Sequence, residues 1–154
     1  PPAQRGVMDA LVLVFAFVTG ACFGSFVSLA SWRLPRGEGI VKESSRCVMC
    51  RTTLAARDLV PLLSWVWNRA RCRACGASVH WRYPAIEAAT GLAFVLAVAQ
   101  TGLTAQAVVL CLLAVALMVM IVVDFEHYII PDTVQIALLA LGIVYHALLA
   151  TPFA

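Results

Sequence analysis

The 154-residue chain is 62% hydrophobic and only 12% charged, with a formal net charge of +3. So few charged side chains cannot cover a soluble globular domain, and this composition therefore excludes one and indicates a membrane protein. Because each crossing needs about 20 apolar residues, the length allows about four spanning helices.

The first apolar stretch, from about Leu11 to Trp32, predicts a transmembrane helix within residues 8–32. A secretory signal peptide is the alternative, but the stretch is too long and no basic cluster precedes it. The residues before Met8 are interpreted as an upstream remnant outside the folded unit.

Small side chains recur along one side of this first helix. Gly20 and Gly24 are four residues apart, and Ser28 follows one turn later. Such a face predicts the close approach of a neighbouring helix. A groove for a substrate helix is the functional alternative.

Positive charge is concentrated in the next segment, residues 33–83. Ten of the eleven Lys and Arg residues lie here against three acidic residues, which gives about +7 (10 − 3). The positive-inside rule predicts a cytoplasmic loop, and anionic lipid is the expected partner of its charge. Because the aromatic residues sit where the loop meets apolar sequence, interfacial anchoring is favoured and no nucleic-acid partner is expected.

Four cysteines in this loop have the spacing of a zinc ribbon. Cys47 and Cys50 form one Cys-x2-Cys pair, and Cys72 and Cys75 form another after 21 intervening residues. Zinc prefers four soft donors in a tetrahedron, so this spacing predicts a structural site with no position left for a catalytic water. Two disulfides and redox-active pairs are the alternatives. A cytoplasmic loop disfavours disulfides, and two matched pairs exceed what a single redox motif needs.

The remaining cysteines and the nearby histidine have simpler interpretations. Cys22 and Cys111 lie within apolar helices and are predicted to be small core residues. His80 would be a fifth candidate ligand, and its default interpretation is an ordinary polar loop residue.

Three further apolar stretches predict transmembrane helices 2 to 4 within residues 84–154. They are Ala85 to Gln100, Ala105 to Val123 and Thr133 to Leu149. Alternating orientation from a cytoplasmic loop returns the Asp124 to Asp132 segment to the cytoplasmic face. The predicted fold is an all-α polytopic membrane protein of about four transmembrane helices, with a small zinc-ribbon-like domain between the first two.

Asp124 is the candidate catalytic residue because it ends a long apolar run, where an ionised carboxylate is costly. The chemistry that suits it is aspartic hydrolysis, in which two carboxylates share one proton and activate water. Asp132, with Gln135 three residues on, is predicted instead to form a capping box for the last helix. His127 is a minor candidate for orienting the carboxylate.

These residues resemble the amino-terminal part of the bacterial type IV prepilin peptidases, also called prepilin leader peptidases. The resemblance covers nearly the whole chain through several motifs in one order. These are Gly24-Ser25-Phe26, Arg33-Leu34-Pro35, both cysteine pairs, Asp58 to Trp65, Arg71 to Gly76, Trp81-Arg82-Tyr83-Pro84 with Glu87, and Asp124 with Ile130-Pro131-Asp132.

The resemblance implies an inner-membrane aspartic protease that cuts the basic leader from type IV prepilins and type II secretion pseudopilins at the cytoplasmic face. It implies Asp124 as the first catalytic aspartate and the four cysteines as a cytoplasmic zinc domain. It also implies possible methylation of the new amino terminus with S-adenosylmethionine, for which no cofactor fingerprint or adenosine site is evident in the sequence.

The chain departs from the family where the second catalytic aspartate is expected. That residue belongs to a Gly-x-Gly-Asp motif on a later helix, and the sequence contains no Gly-Asp dipeptide. We therefore expect a fragment that lacks the carboxy-terminal half and is inactive alone. A non-catalytic, zinc-bearing scaffold for a pilus or secretion assembly is the alternative, and a buried Asp124 would favour the enzyme over the scaffold.

Overall fold

The structure, a computed structural model, describes residues 2–39 and 44–150, with side chains from residue 9 onward. Lys42 and Glu43, which contribute to the predicted loop charge, lie outside the described residues. The last four residues of the predicted 84–154 unit lie outside them as well.

Four long helices dominate the fold, and a short helix lies in the loop between the first two of them. In chain order they are α1 (Pro2–Arg33), α2 (Leu63–Trp67), α3 (Arg82–Thr101), α4 (Ala105–His127) and α5 (Asp132–Ala150). The four long helices have the length and apolar composition to cross a membrane. Within the described residues no strand forms, only two isolated bridges. The predicted all-α class with four apolar helices is confirmed.

Two helix boundaries differ from the prediction. Helix α1 begins at Pro2, within the segment interpreted as a remnant. Helix α4 continues past Val123 to His127, because no residue in between breaks the helix, and it ends where Tyr128 turns left-handed at φ 54°. The Tyr128 N–H then donates to the Asp124 carbonyl at 2.9 Å, which satisfies one terminal acceptor of the helix.

Helices α1 and α3 make the closest contact in the bundle, through glycines. A Cβ placed on Gly20 would come within 2.8 Å of the Gly91 Cα, and one on Gly91 would come within 2.8 Å of the Phe17 ring. Close backbone approach of this kind is how helices associate where there is no water to drive apolar burial. The small-residue face of α1 is therefore filled by α3, and no substrate groove is present there.

Helix α4 completes the core by packing against both α1 and α3. Its fully buried Val123 belongs to a cluster with Val27 of α1 and Ile86 of α3. Helix α5 packs mainly on α4 and buries only Val134 among its described residues. The bundle core thus lies near the last turns of α4, directly beside Asp124.

Candidate metal centre and membrane-face carboxylate

Both cysteine pairs are built on the same backbone hydrogen bonds, 25 residues apart in sequence. The Cys47 N–H donates to the Thr52 carbonyl at 3.0 Å, and the Cys72 N–H donates to the Ala77 carbonyl at 2.7 Å. A bridge closes each turn, Arg46 with Thr53 and Arg71 with Ser78. We call these two turns, residues 45–54 and 70–79, the first and second knuckle.

The knuckles differ at the residue that follows the second cysteine. Arg51 has φ 57° and its counterpart Gly76 has φ 73°. Each N–H donates to the carbonyl of the first cysteine of its knuckle, at 2.9 and 2.8 Å. Glycine adopts this left-handed conformation without strain, whereas a side chain there costs about 1–2 kcal/mol. The turn geometry is thus retained in the first knuckle at a conformational cost.

The knuckles bring their four sulfur atoms together as one group. The sulfurs of Cys47, Cys50, Cys72 and Cys75 all lie within 4.8 Å of one another, and Cys47 Sγ is 3.9 Å from Cys75 Sγ across the two knuckles. Tetrahedral zinc with Zn–S bonds of about 2.3 Å holds its sulfurs about 3.8 Å apart. The donor set and its spacing therefore fit a metal ion, whereas His80 lies outside this group.

The thiols of Cys50 and Cys75 differ in acidity. The Thr52 hydroxyl, 3.3 Å from the Cys50 sulfur, and then the Thr52 backbone lower the pKa of Cys50 to about 6. A hydrogen bond with the Ala77 backbone lowers the pKa of Cys75. Hydrogen bonding with Cys50, together with burial and the other thiols, outweighs this effect and raises the pKa of Cys75 to about 11. Neighbouring negative charges disfavour further ionisation, and a bound cation would relieve that repulsion.

Contacts between the second knuckle and the segment that joins the two knuckles replace a hydrophobic core in this loop. The Trp65 indole N–H of α2 donates to the Val79 carbonyl of the second knuckle at 3.0 Å. Asp58 accepts from the Ala55 N–H at 3.2 Å and pairs with Arg73 at 3.4 Å. A loop of this size needs such cross-links or a metal, since its apolar burial is small.

One buried carboxylate connects the loop to the helix bundle. Glu87 of α3 is 8% exposed and accepts a 2.7 Å hydrogen bond from the Leu62 N–H. Leu62 has φ 61°, a strained value for a branched side chain. Glu87 therefore anchors the strained turn before α2, a role that sequence reasoning missed because the partner atom is a backbone amide.

A second polar contact joins three helix ends on the same side of the bundle. The Arg82 guanidinium at the start of α3 pairs with both carboxylate oxygens of Glu126 in α4, with Nη2 to Oε2 at 2.9 Å. The same Nη2 donates to the Ser31 hydroxyl of α1 at 2.6 Å. Because the cysteine loop leads directly into Arg82, this is also the end of the bundle that carries the four-cysteine group.

Asp124 lies at this end of the bundle, one turn before α4 finishes. Its neighbours Val122 and Val123 are buried against α1 and α3, whereas Asp124 itself is exposed. Within residues 2–39 and 44–150 its carboxylate makes no hydrogen bond or ion pair. A buried Asp124 would favour an enzyme over a scaffold, and within the described residues Asp124 is not buried.

Two predictions about neighbouring residues need correction. Asp132 lies inside the first turn of α5, where it complements the helix dipole, but the Gln135 side chain reaches the Ile130 carbonyl at 3.5 Å instead of closing a capping box. The Pro131 carbonyl accepts the first backbone hydrogen bonds of α5, from the Val134 and Gln135 N–H groups. Pro131 therefore occupies the cap position, and Asp132 is already inside the helix. His127 Nε2 is buried without a partner in the described residues, so it does not hold Asp124 through that atom.

The other residues singled out from the sequence have ordinary surroundings. His80 Nδ1 accepts the Arg82 N–H at 3.1 Å, which supports the start of α3. Cys22 is exposed and Cys111 half-buried, so neither is the core residue that was predicted. Cys22 instead borders an open cavity of about 300 Å3 between α1 and the loop. The cavity is lined by Cys22, Ser25, Phe26, Leu29, Ser45, Leu59 and Pro61.

Comparison with known proteins relates this arrangement to one family. Residues 18–101 match the family described as the bacterial peptidase A24 N-terminal domain. A prepilin leader peptidase/N-methyltransferase of Myxococcus xanthus is 38% identical over 90% of this chain and 41% of its own length. The type 4 prepilin-like proteins leader peptide-processing enzyme of Escherichia coli is 32% identical over 85% of this chain and 55% of its own.

A Bacillus subtilis prepilin leader peptidase/N-methyltransferase is 30% identical over 81% of this chain and 50% of its own length. The chain thus spans about half the length of the curated relatives it matches. No solved structure matches it significantly.

Proposed function

The chain belongs to the bacterial prepilin leader peptidase family, and from that premise we propose that it forms the amino-terminal half of a membrane aspartic endopeptidase. The substrate would be the basic leader of type IV prepilins and pseudopilins, cut at the cytoplasmic face of the bacterial inner membrane. The observation that carries the proposal is the position of Asp124, an exposed carboxylate near the end of an apolar helix, at the end of the bundle from which the cysteine loop enters α3.

Asp124 would supply one of the two carboxylates of the reaction. In aspartic hydrolysis the ionised member takes a proton from water as the water attacks the peptide carbonyl, while the protonated member donates to the carbonyl oxygen. The exposed side of Asp124 leaves room for a second aspartate from the carboxy-terminal half. Catalysis by this chain alone is not expected, because one carboxylate cannot take the proton from water and donate a proton to the carbonyl oxygen at the same time.

Cys47, Cys50, Cys72 and Cys75 would hold a structural zinc ion. Zinc would supply folding free energy to a loop that lacks its own core, and its four protein ligands leave no position for a reacting water. The positive charge of the loop supports a cytoplasmic location and contact with anionic lipid. Three knuckle arginines, Arg46, Arg51 and Arg71, would offset the net negative charge of a tetrathiolate centre.

Methylation of the new amino terminus is a further activity in the names of the relatives. We extend it to the full-length enzyme as a proposal, with S-adenosylmethionine as methyl donor. No residue of this chain is assigned to that cofactor.

The experiment that tests the proposal uses the full-length gene product in phospholipid vesicles with a prepilin leader peptide. Cleavage should be abolished by Asp124→Asn and retained by Asp132→Asn, since Asp132 belongs to the first turn of α5. Cleavage that survives Asp124→Asn would overturn the assignment.

The exposure of Asp124 favours one other function, a non-catalytic scaffold for pilus or secretion assembly. In a scaffold the carboxylate would remain open to solvent in the full-length protein. A carboxylate-modifying carbodiimide separates the two functions, because Asp124 of the scaffold would react as fast in the full-length protein as in this chain. Slower modification in the full-length protein supports the enzyme.

A further inference from the structure

The contact of Arg82 with Glu126 has a directional effect on α4. Successive residues of an α-helix are about 100° apart around its axis, so Glu126 and Asp124 project about 200° apart, on nearly opposite sides. Glu126 points towards α3, where Arg82 holds it, and Arg82 also donates to Ser31 of α1. Asp124 consequently points away from both helices.

We propose that Arg82 is a positioning residue that fixes the rotation of the last turn of α4, so that Asp124 faces the side from which the second carboxylate arrives. This inference rests on the proposed function, and it extends that function to a residue on another helix. Arg82 does not touch the reacting atoms and acts only through Glu126.

The surroundings of Arg82 suit a rigid contact. Its side chain is 17% exposed and that of Glu126 is 27% exposed, so water competes with the pair only partly. A planar guanidinium that meets both carboxylate oxygens fixes orientation as well as distance, which a single ammonium group cannot do.

Ser31 makes the contact a three-helix junction. Its hydroxyl is fully buried, accepts from Arg82 and donates to the Ser28 carbonyl at 3.1 Å. The guanidinium is therefore hydrogen-bonded to α1 and to α4 at the same time. Rotation of the α4 end would break the two hydrogen bonds of Glu126 to Arg82, or pull the guanidinium away from Ser31.

The first test measures amide hydrogen exchange of this chain in lipid nanodiscs. The Tyr128 N–H, bonded to the Asp124 carbonyl, reports on the last turn of α4. Arg82→Gln should speed its exchange, and so should Glu126→Gln. Arg36→Gln is the matched control, because the polar contacts of Arg36 within the described residues are with Trp32 of its own segment and none is with α4. Unchanged exchange at Tyr128 in Arg82→Gln would overturn the proposal.

The second test measures leader cleavage by the full-length enzyme. Misplacement of a catalytic group lowers turnover, so Arg82→Gln and Glu126→Gln should each lower kcat by about tenfold to a hundredfold and leave KM nearly unchanged. The double variant should be no worse than either single variant, because both remove one contact. Arg82→Lys should restore little, since lysine lacks the planar fork.

The positioning role of Arg82 and the catalytic role of Asp124 are contradicted by different results. If Asp124→Asn abolishes cleavage while Arg82→Gln keeps kcat, the positioning role is wrong and the proposed function stands. If Asp124→Asn leaves cleavage intact, the proposed function is wrong, and the exchange experiment then decides whether Arg82 holds the turn. Additive losses in the double variant would contradict action through Glu126.

Discussion

Gly24 lies directly against the backbone of Glu87: a Cβ built on Gly24 would come within 2.6 Å of the Glu87 Cα. Among the glycines where α1 and α3 meet, Gly24 leaves the least room for a Cβ. This close approach occurs at the residue whose carboxylate anchors the loop, so helix packing and loop position depend on the same segment of α3.

Gly24→Ala should therefore destabilise the bundle, because the added methyl group can be accommodated only by moving a backbone. Overpacking of this kind costs about 1–3 kcal/mol. The free energy of unfolding in mixed micelles measures it. Gly142→Ala is the control, since nothing lies within 4 Å of that Cβ position, and it should be neutral or stabilising. Equal effects of the two substitutions would contradict the α1–α3 contact.

The metal proposal predicts about one zinc ion per purified chain. Cys72→Ser should lose the zinc and unfold the loop, whereas Cys111→Ser, which changes a cysteine outside the group, should retain both. Elemental analysis and protease sensitivity of residues 45–79 provide the measurements. A zinc-free, reduced loop that remains folded would rule out a structural role for the metal.

The left-handed backbone at Arg51 predicts that glycine is the better residue there. Arg51→Gly should bind zinc more tightly than Arg51→Ala, by about 1 kcal/mol of relieved strain. Both variants remove the same charge, so their difference isolates the backbone effect. Zinc competition with a chelator measures the difference. Gly76→Ala should weaken binding by a similar amount, and the absence of both effects would contradict the knuckle geometry.

Glu87 should be needed as a hydrogen-bond acceptor and not for its charge. Glu87→Leu should free the Leu62 amide and speed its hydrogen exchange, at a cost of about 1–3 kcal/mol for the unsatisfied group. Glu87→Gln keeps an acceptor oxygen and should stay close to the native protein. If the leucine variant protects the Leu62 amide as well as the native protein does, Glu87 is not the anchor.

The fragment proposal predicts no leader cleavage by residues 1–154 alone. It also predicts a Gly-x-Gly-Asp segment encoded downstream of Ala154. Peptide cleavage assays and the downstream gene sequence provide the two checks. Robust cleavage by the isolated chain, lost in Asp124→Asn, would indicate a partner carboxylate within residues 1–154.

The helices and the cysteine group could be predicted from sequence because their signals are local. A run of apolar residues has the length of a membrane crossing, and Cys-x2-Cys aims two sulfurs at one point. The Arg82–Glu126 pair could not be predicted in this way, since its members are 44 residues apart. The sequence also offers several other charged residues with which either of them could have paired. The same limit applied to Glu87, and to Asp124, whose exposure depends on which neighbours cover α4.

The two knuckles, built on matching hydrogen bonds, would share the proposed zinc ion, and a shared ion would make the loop fold all or none. Each knuckle can form its own turn, but it offers a metal only two sulfurs. During synthesis the first knuckle must therefore wait until Cys75 has left the ribosome. By then α1 has already been made, so the membrane anchor precedes the domain that the metal completes. A shortage of metal would leave an inserted bundle whose loop is unstructured, a state that quality-control proteases could recognise by the loop alone.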